Sequence, residues 1–148
     1  MDPLLSHEFA SQMSIDGGAS HALAVILLPL IGLVLIAAGV LMVWLARKSL
    51  RNDLARNEVA GVRTRLTLSS DAAWYPAQRA AARRTAIGGS GAIVAGVLTP
   101  FALLLRLPFD PTMVVAACVV VVGAAWMIGW ALAGTSAAQR AAREATAA

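Results

Sequence analysis

The sequence predicts an all-α integral membrane protein. It has three transmembrane helices, an outside N-terminus, an inside C-terminus and a structured cytoplasmic loop between the first two helices. Three observations predict it. First, 59% of the 148 residues are hydrophobic and 14% are charged, against roughly 45–50% and about 25% in soluble domains. Second, the apolar residues lie in three charge-free runs: Ala22–Leu45, Thr85–Leu105 and Pro111–Gln139. Each has the about 20 residues a helix needs to cross a bilayer core of about 30 Å. Third, the charge is asymmetric. Asp2, Glu8 and Asp16 make the N-terminal segment acidic, whereas nine Lys and Arg against three acidic residues give residues 46–84 a net charge of +6. The positive-inside rule then places that loop in the cytoplasm.

Residues 1–21 form an extracytoplasmic segment. It lacks the basic start of a signal peptide. Leu4, Leu5, Phe9 and Met13 fall near helical spacing, which fits a short interfacial helix. The membrane domain, residues 22–133, opens with span 1, Ala22–Leu45, in which 15 residues are Leu, Ile or Val. On an insertion scale these contribute roughly −5 to −9 kcal/mol, enough for insertion without help. Pro29 is expected to kink the helix mildly. Trp44 marks the far interface.

The loop, residues 46–84, holds the densest specific pattern of the chain: Asn57, Gly61, Arg63, Thr64, Thr67, Ser69 and Trp74. The first helix is expected to continue through KSLRNDLARNEVA and stop near Gly61. Val62 to Leu68 alternates in polarity, which predicts an extended segment with one face down. Ser69 or Ser70 supplies an N-cap and Asp71 a favourable first-turn charge for the next helix. In that helix Trp74 and Tyr75 fall where headgroups would be, and Pro76 is expected to bend it. Most of the loop's basic residues serve topology and contact with anionic lipid. Arg63 follows the turn residue Gly61 and precedes two hydroxyls. Its guanidinium is expected to tie down carbonyls or pair with Asp71, making the loop a cap on the bundle.

Span 2, Thr85–Leu105, is the weak one, with nine strongly apolar residues interrupted by four glycines and Pro100. It should depend on packing against its neighbours. Gly88, Ala92 and Gly96 form a small-xxx-small stripe that lets backbones approach. Thr99-Pro100 suggests a kink towards the outer side. Arg106 to Asp110 is a short outer turn. Span 3, residues 112–133, carries a second small stripe, Ala125, Gly129 and Ala133. Trp130 is expected at the cytoplasmic interface and Trp126 between helices. Residues 134–148 are an Ala-rich cytoplasmic tail.

Most site chemistry is excluded. No span holds an ionisable group except Cys118, which argues against a proton or ion pathway. Cys118 is expected to be a small packing residue. The two histidines have no ligand spacing and cysteine pairs are absent, so no metal centre, cofactor or catalytic residue is expected. Gly88-Gly89-Ser90-Gly91 follows no strand and is not a phosphate loop. The basic charge clusters beside membrane spans, so nucleic acid is not the expected partner.

The pattern N-x3-G-x-R-T-x2-T-x-S-x4-W, followed by Gln78-Arg79 and a Gly-rich span, resembles the SdpI-type immunity-protein family of bacterial membrane proteins. The resemblance runs from about Val34 to Gly134, the three-span C-terminal module of that family. It implies a multi-pass protein of the bacterial plasma membrane. The best-known member protects its producer from a secreted membrane-damaging peptide and holds a repressor at the membrane. The expected partners are thus the lipid bilayer and a membrane-protein partner or a homo-oligomer. The expected function is non-enzymatic binding of a toxin or envelope partner. The alternative is a small accessory subunit of a larger respiratory or envelope-transport complex.

Overall fold

In the computed structural model, residues 3–57, 59–105 and 107–147 are described; Asp2 and Glu58, counted above for charge, and Arg106 of the expected outer turn lie outside them. The chain folds into three long helices: α1 (Pro3–Leu50), α2 (Asp71–Phe101) and α3 (Phe109–Ala147). A short 3₁₀ helix, Ala102–Leu105, follows α2, and no strand occurs among the described residues. All three helices are long and apolar enough to span a membrane.

α1 has 48 residues. At 1.5 Å per residue this is about 72 Å, more than twice the bilayer core. The short separate helix expected within residues 1–21 is replaced by one continuous helix from Pro3. The helix passes Pro29, near the middle, without a break in its assignment. Its end departs from expectation. Rather than running on to Gly61, it stops at Leu50, because Asn52 adopts the left-handed conformation at φ 58°. Asp53 N–H then donates to Lys48 O (3.0 Å) and Asn52 N–H to Ser49 O (3.4 Å). That is a Schellman stop built on Asn, which tolerates this conformation better than most residues.

α2 is the central helix. It packs against both α1 and α3, which touch each other at few points. Its apolar window is 39% buried, against 17% in each of the others. The helix with the weakest insertion signal therefore has the most protein around it. The α1–α2 contact is a glycine seam. A Cβ on Gly32 would sit 2.5 Å from Gly96 O, and one on Gly96 2.5 Å from Gly32 O. One heptad along, Gly39 and Gly89 repeat the relation at 2.5 and 2.7 Å. The recurring geometry is that of reciprocal Cα–H···O contacts between backbones. The same register sets buried Ala46 level with buried Ala82.

Between α2 and α3 the glycines receive side chains rather than backbone. Gly123 receives Ala95, Gly91 receives the Trp126 indole, and Gly88 lies against Trp130 Cβ. α3 runs unbroken through Gly134 to Ala147. There it closes an all-alanine core, with Ala138 and Ala142 against Ala73, Ala77 and Ala81 of α2. At the opposite end Leu28, Ala102 and Ala116 form a smaller cluster. Within the first turn of α3, Thr112 Oγ1 donates back to Pro108 O (3.0 Å). Pro111 falls in the first turn of α3, where its missing N–H leaves no helical bond unmade.

Candidate functional site

The 20 residues between α1 and α2 form a compact cap at one end of the bundle. Its first joint is Trp74, fully buried, whose Nε1 donates to Leu54 O (2.7 Å). Trp74 is thus a peg for the loop rather than a headgroup anchor, because the loop folds back over the α2 N-terminus. Asn57 builds an Asx turn: its Oδ1 accepts from Val59 N (2.8 Å) and Ala60 N (2.7 Å), and its Nδ2 donates to Ala55 O (2.7 Å). Gly61 follows at φ 93°, and a Cβ there would meet Gln78 Oε1 at 2.5 Å.

Gln78 is the clasp. Its Oε1 accepts from Val62 N (3.0 Å) and its Nε2 donates to Val62 O (2.9 Å), as a neighbouring strand would. Residues 62–64 have no regular structure, and residues 65–68 form a turn. The expected extended run over Val62–Leu68 is therefore cut short. Buried Thr67 turns it, its Oγ1 accepting from Thr64 N (2.8 Å) and donating to Val62 O (2.8 Å). Ser69 Oγ donates to Leu66 O (2.7 Å). Val62 and Leu66 rest on the alanine core, so the cap packs onto the α2–α3 hairpin. Ser70 caps α2, accepting from Ala73 N (3.2 Å), with Asp71 in the first turn.

The ion pair of Asp71 is with Arg56 (3.0 Å), whose Nη1 also donates to Leu68 O (3.0 Å). The pairing with Asp71 considered for Arg63 is thus made by Arg56, which also reaches Leu68 O. Arg63 lines a cavity of about 310 Å³. The loop roofs this cavity with Gly61, Val62, Arg63 and Thr64. α2 contributes Gln78, Ala81 and Thr85, α1 contributes Met42, Leu45 and Ser49, and α3 contributes Ala131 and Thr135. The Ser49, Thr85 and Thr135 hydroxyls donate to the carbonyls four residues earlier, at 2.9–3.2 Å. Three of the seven pattern residues, Gly61, Arg63 and Thr64, therefore meet at one cavity, while Asn57, Thr67, Ser69 and Trp74 brace the loop around it.

Residues 53–133 match a known family model, described as the SdpI/YfhL protein family. The chain belongs to that family. The SdpI/YfhL match opens past α1 and covers the cap, α2 and most of the apolar part of α3. Comparison with curated proteins found no match, and neither did comparison with solved structures.

The small residues divide. Gly96 meets α1 at Gly32, Gly88 sits between Met42 and Trp130, and Ala92 is fully buried. Ala125, Gly129 and Ala133 face away from α1 and α2, and Gly129 has nothing within 4 Å of its Cβ position. Cys118 is exposed on an apolar groove between α2 and α3, not packed inside. Trp126 stays half exposed, its Nε1 donating to Ile87 O (3.1 Å). Gln78 and Arg56 were not assigned roles from the sequence. Gln78 had a legible signal: it shares a helix face with Trp74 and Ala81 in an otherwise alanine-rich run. No three metal-ligating side chains cluster among the described residues.

Proposed function

We propose that this SdpI/YfhL protein is a non-enzymatic immunity-type protein of the bacterial plasma membrane. It acts by binding a membrane-active peptide or an envelope partner within the bilayer. Its N-terminus lies outside, and the cap and C-terminus lie in the cytoplasm. The observation that carries the reading is how the family pattern is used. Its hydroxyls and amides are consumed in holding a cap over the bundle end, not arrayed around a reacting centre. The outer faces of the helices carry exposed Leu, Ile and Val that suit lipid or an apolar partner. The basic loop supports the orientation. The test is survival of a deletion strain challenged with membrane-damaging peptides. Sensitivity should rise and be restored by the wild-type gene but not by Gln78→Leu. Unchanged survival across such peptides would sink the reading.

The second reading is an accessory subunit of a larger membrane complex. It is favoured by the open Ala125–Gly129–Ala133 face beside Trp126 and Trp130. Gentle extraction and native mass spectrometry from the host separate the two. A stoichiometric larger partner favours the subunit, and a monomer or homo-oligomer favours the immunity reading.

A further inference from the structure

We propose that the cap end of the α1–α2 seam binds an anionic phospholipid with two phosphates in one headgroup, of the cardiolipin class. Arg47 and Arg51 on α1 and Arg79 and Arg83 on α2 hold it. This goes beyond the immunity reading and does not rest on it. It needs only that the helices cross a membrane, whichever leaflet the cap end meets.

The register of the two helices brings these four residues together. Gly32 meets Gly96 and Gly39 meets Gly89, so the antiparallel pair continues with Arg47 level with Ala81 and Arg51 level with Ala77. At about 100° per residue, Arg47 and Arg51 lie about 100° and 140° round α1 from the seam residue Ala46. Arg83 and Arg79 lie about 100° and 60° round α2 from Ala82. In an antiparallel pair, equal senses of rotation lead to the same side of the seam. The opposite side carries Met42, Leu45 and Ser49 and, facing them, Gln78, Ala81 and Thr85, around the cavity that α3 helps to wall. All four arginines are exposed, and among the described residues none of their guanidinium groups has a hydrogen bond or an ion pair. Asp71 is taken by Arg56, and Asp53, two residues past Arg51, pairs with none of the four.

The surroundings point to a lipid. The apolar run of α1 ends at Leu45 and that of α2 begins at Thr85, so Arg47 and Arg83 stand two residues outside the spans, at headgroup level. The same side then continues into the bilayer. One residue past each seam position, Arg47 is followed inwards on α1 by Val40 and Leu33, and Arg83 on α2 by Ser90 and Val97. Val40, Leu33 and Val97 are exposed, so the face is basic at the headgroups and apolar along the chains, which suits an amphiphile better than a soluble acidic protein. Each helix presents two arginines at i and i+4, about 5–6 Å apart. A guanidinium fork takes phosphate oxygens in pairs, so each stack holds one phosphate. The glycine seam sets the two stacks side by side with backbones in contact, within reach of a single headgroup.

Native mass spectrometry on the full-length protein in neutral detergent tests this, with tetraoleoyl cardiolipin, dioleoyl phosphatidylglycerol and dioleoyl phosphatidylcholine as probes. Wild type should bind cardiolipin about fivefold or more tightly than phosphatidylglycerol, and phosphatidylcholine most weakly. The double variant Arg47→Gln/Arg51→Gln removes one stack. It should still bind phosphatidylglycerol but lose the preference for cardiolipin, and Arg79→Gln/Arg83→Gln should do the same. If one of these pairs lowers the unfolding midpoint, the other decides. Arg140→Gln/Arg143→Gln removes the same charge from exposed positions of α3 at the same end and should bind as wild type does. Equal affinity of wild type for cardiolipin and phosphatidylglycerol would overturn the proposal, as would a preference that survives in both seam variants or is lost equally in the α3 variant. Release of bound cardiolipin by an equimolar decaglutamate peptide would also overturn it, and would assign the face to an acidic protein.

Discussion

At the scale of single residues, the cap turns on Gly61 and Gln78. Gly61→Ala imposes a left-handed backbone on a residue with a Cβ and drives that Cβ into Gln78 Oε1. The conformational part alone costs about 1–2 kcal/mol. Gln78→Leu leaves the Val62 N–H without a partner in a half-buried site and its C=O with Thr67 Oγ1 alone, about 1–3 kcal/mol for the N–H at full burial. Both variants should lower the thermal unfolding midpoint in detergent by several degrees and speed tryptic cleavage at Arg63 and Arg65. Arg56→Ala should cost about 0–1 kcal/mol and barely shift the midpoint, because its pair with Asp71 is solvent-exposed. A midpoint drop for Arg56→Ala equal to that of Gln78→Leu would refute this ranking. Much of the cap's residue list was legible as a dense polar pattern, but the roles were not. The alternation of Val62–Leu68 looked like a strand because Val62, Thr64, Leu66 and Leu68 fall at even spacing, and that pattern hides the turn that Thr64 and Thr67, three residues apart, make with each other. Pairing with Asp71 was considered for Arg63 because local spacing cannot show that Arg56, 15 residues before Asp71, folds back onto it.

At the scale of elements, the membrane contact is specified by a heptad of small residues, Gly32, Gly39 and Ala46 on α1 facing Ala82, Gly89 and Gly96 on α2. The sequence shows the three helices plainly because charge-free length is a strong signal. The pairing is less visible, because a four-residue stripe such as Gly88–Ala92–Gly96 and a seven-residue one overlap on the same helix. The structure splits them: Gly96 and Gly89 meet α1, while Gly88 meets Trp130 as well. The two kinds of glycine make opposite predictions. Gly39→Leu would force backbones apart at a 2.5 Å Cβ approach. It should destabilise the α1–α2 hairpin by about 2–3 kcal/mol or more, as overpacking does. Gly129→Leu has open space around it and should leave the monomer's unfolding midpoint unchanged. If Gly129→Leu instead breaks up a purified complex or lowers activity with stability intact, that face is an interface to another chain. Chemical or thermal unfolding of the two variants side by side in one detergent decides the first point, and size analysis the second.

At the scale of the molecule, the cap depends on a helix that is far away in sequence. α2 and α3 both extend past their apolar stretches, and their ends meet through alanines alone: Ala73, Ala77 and Ala81 against Ala138 and Ala142. Alanine contributes little burial per residue but allows helices to approach closely, and here it supplies the floor on which Val62 and Leu66 rest. The C-terminal segment read from the sequence as a tail is thus part of the cap's foundation. Composition alone could not show this, because an Ala-rich stretch without a periodic apolar face gives no packing signal. The consequence is long-range. Ala142→Glu buries a charge where a fully buried methyl now sits, and Ala138→Glu does the same one turn earlier. Either should release the loop while leaving the glycine seam between α1 and α2 in place. Limited trypsinolysis in detergent should then cut at Arg63 and Arg65 at least about tenfold faster than in wild type, as expected when a local opening loses about 1.4 kcal/mol. A cysteine pair bridging the α1–α2 seam should still cross-link at the wild-type rate. Loss of both signals together would mean that cap and bundle unfold as one unit, and loss of neither would mean that the cap stands without α3.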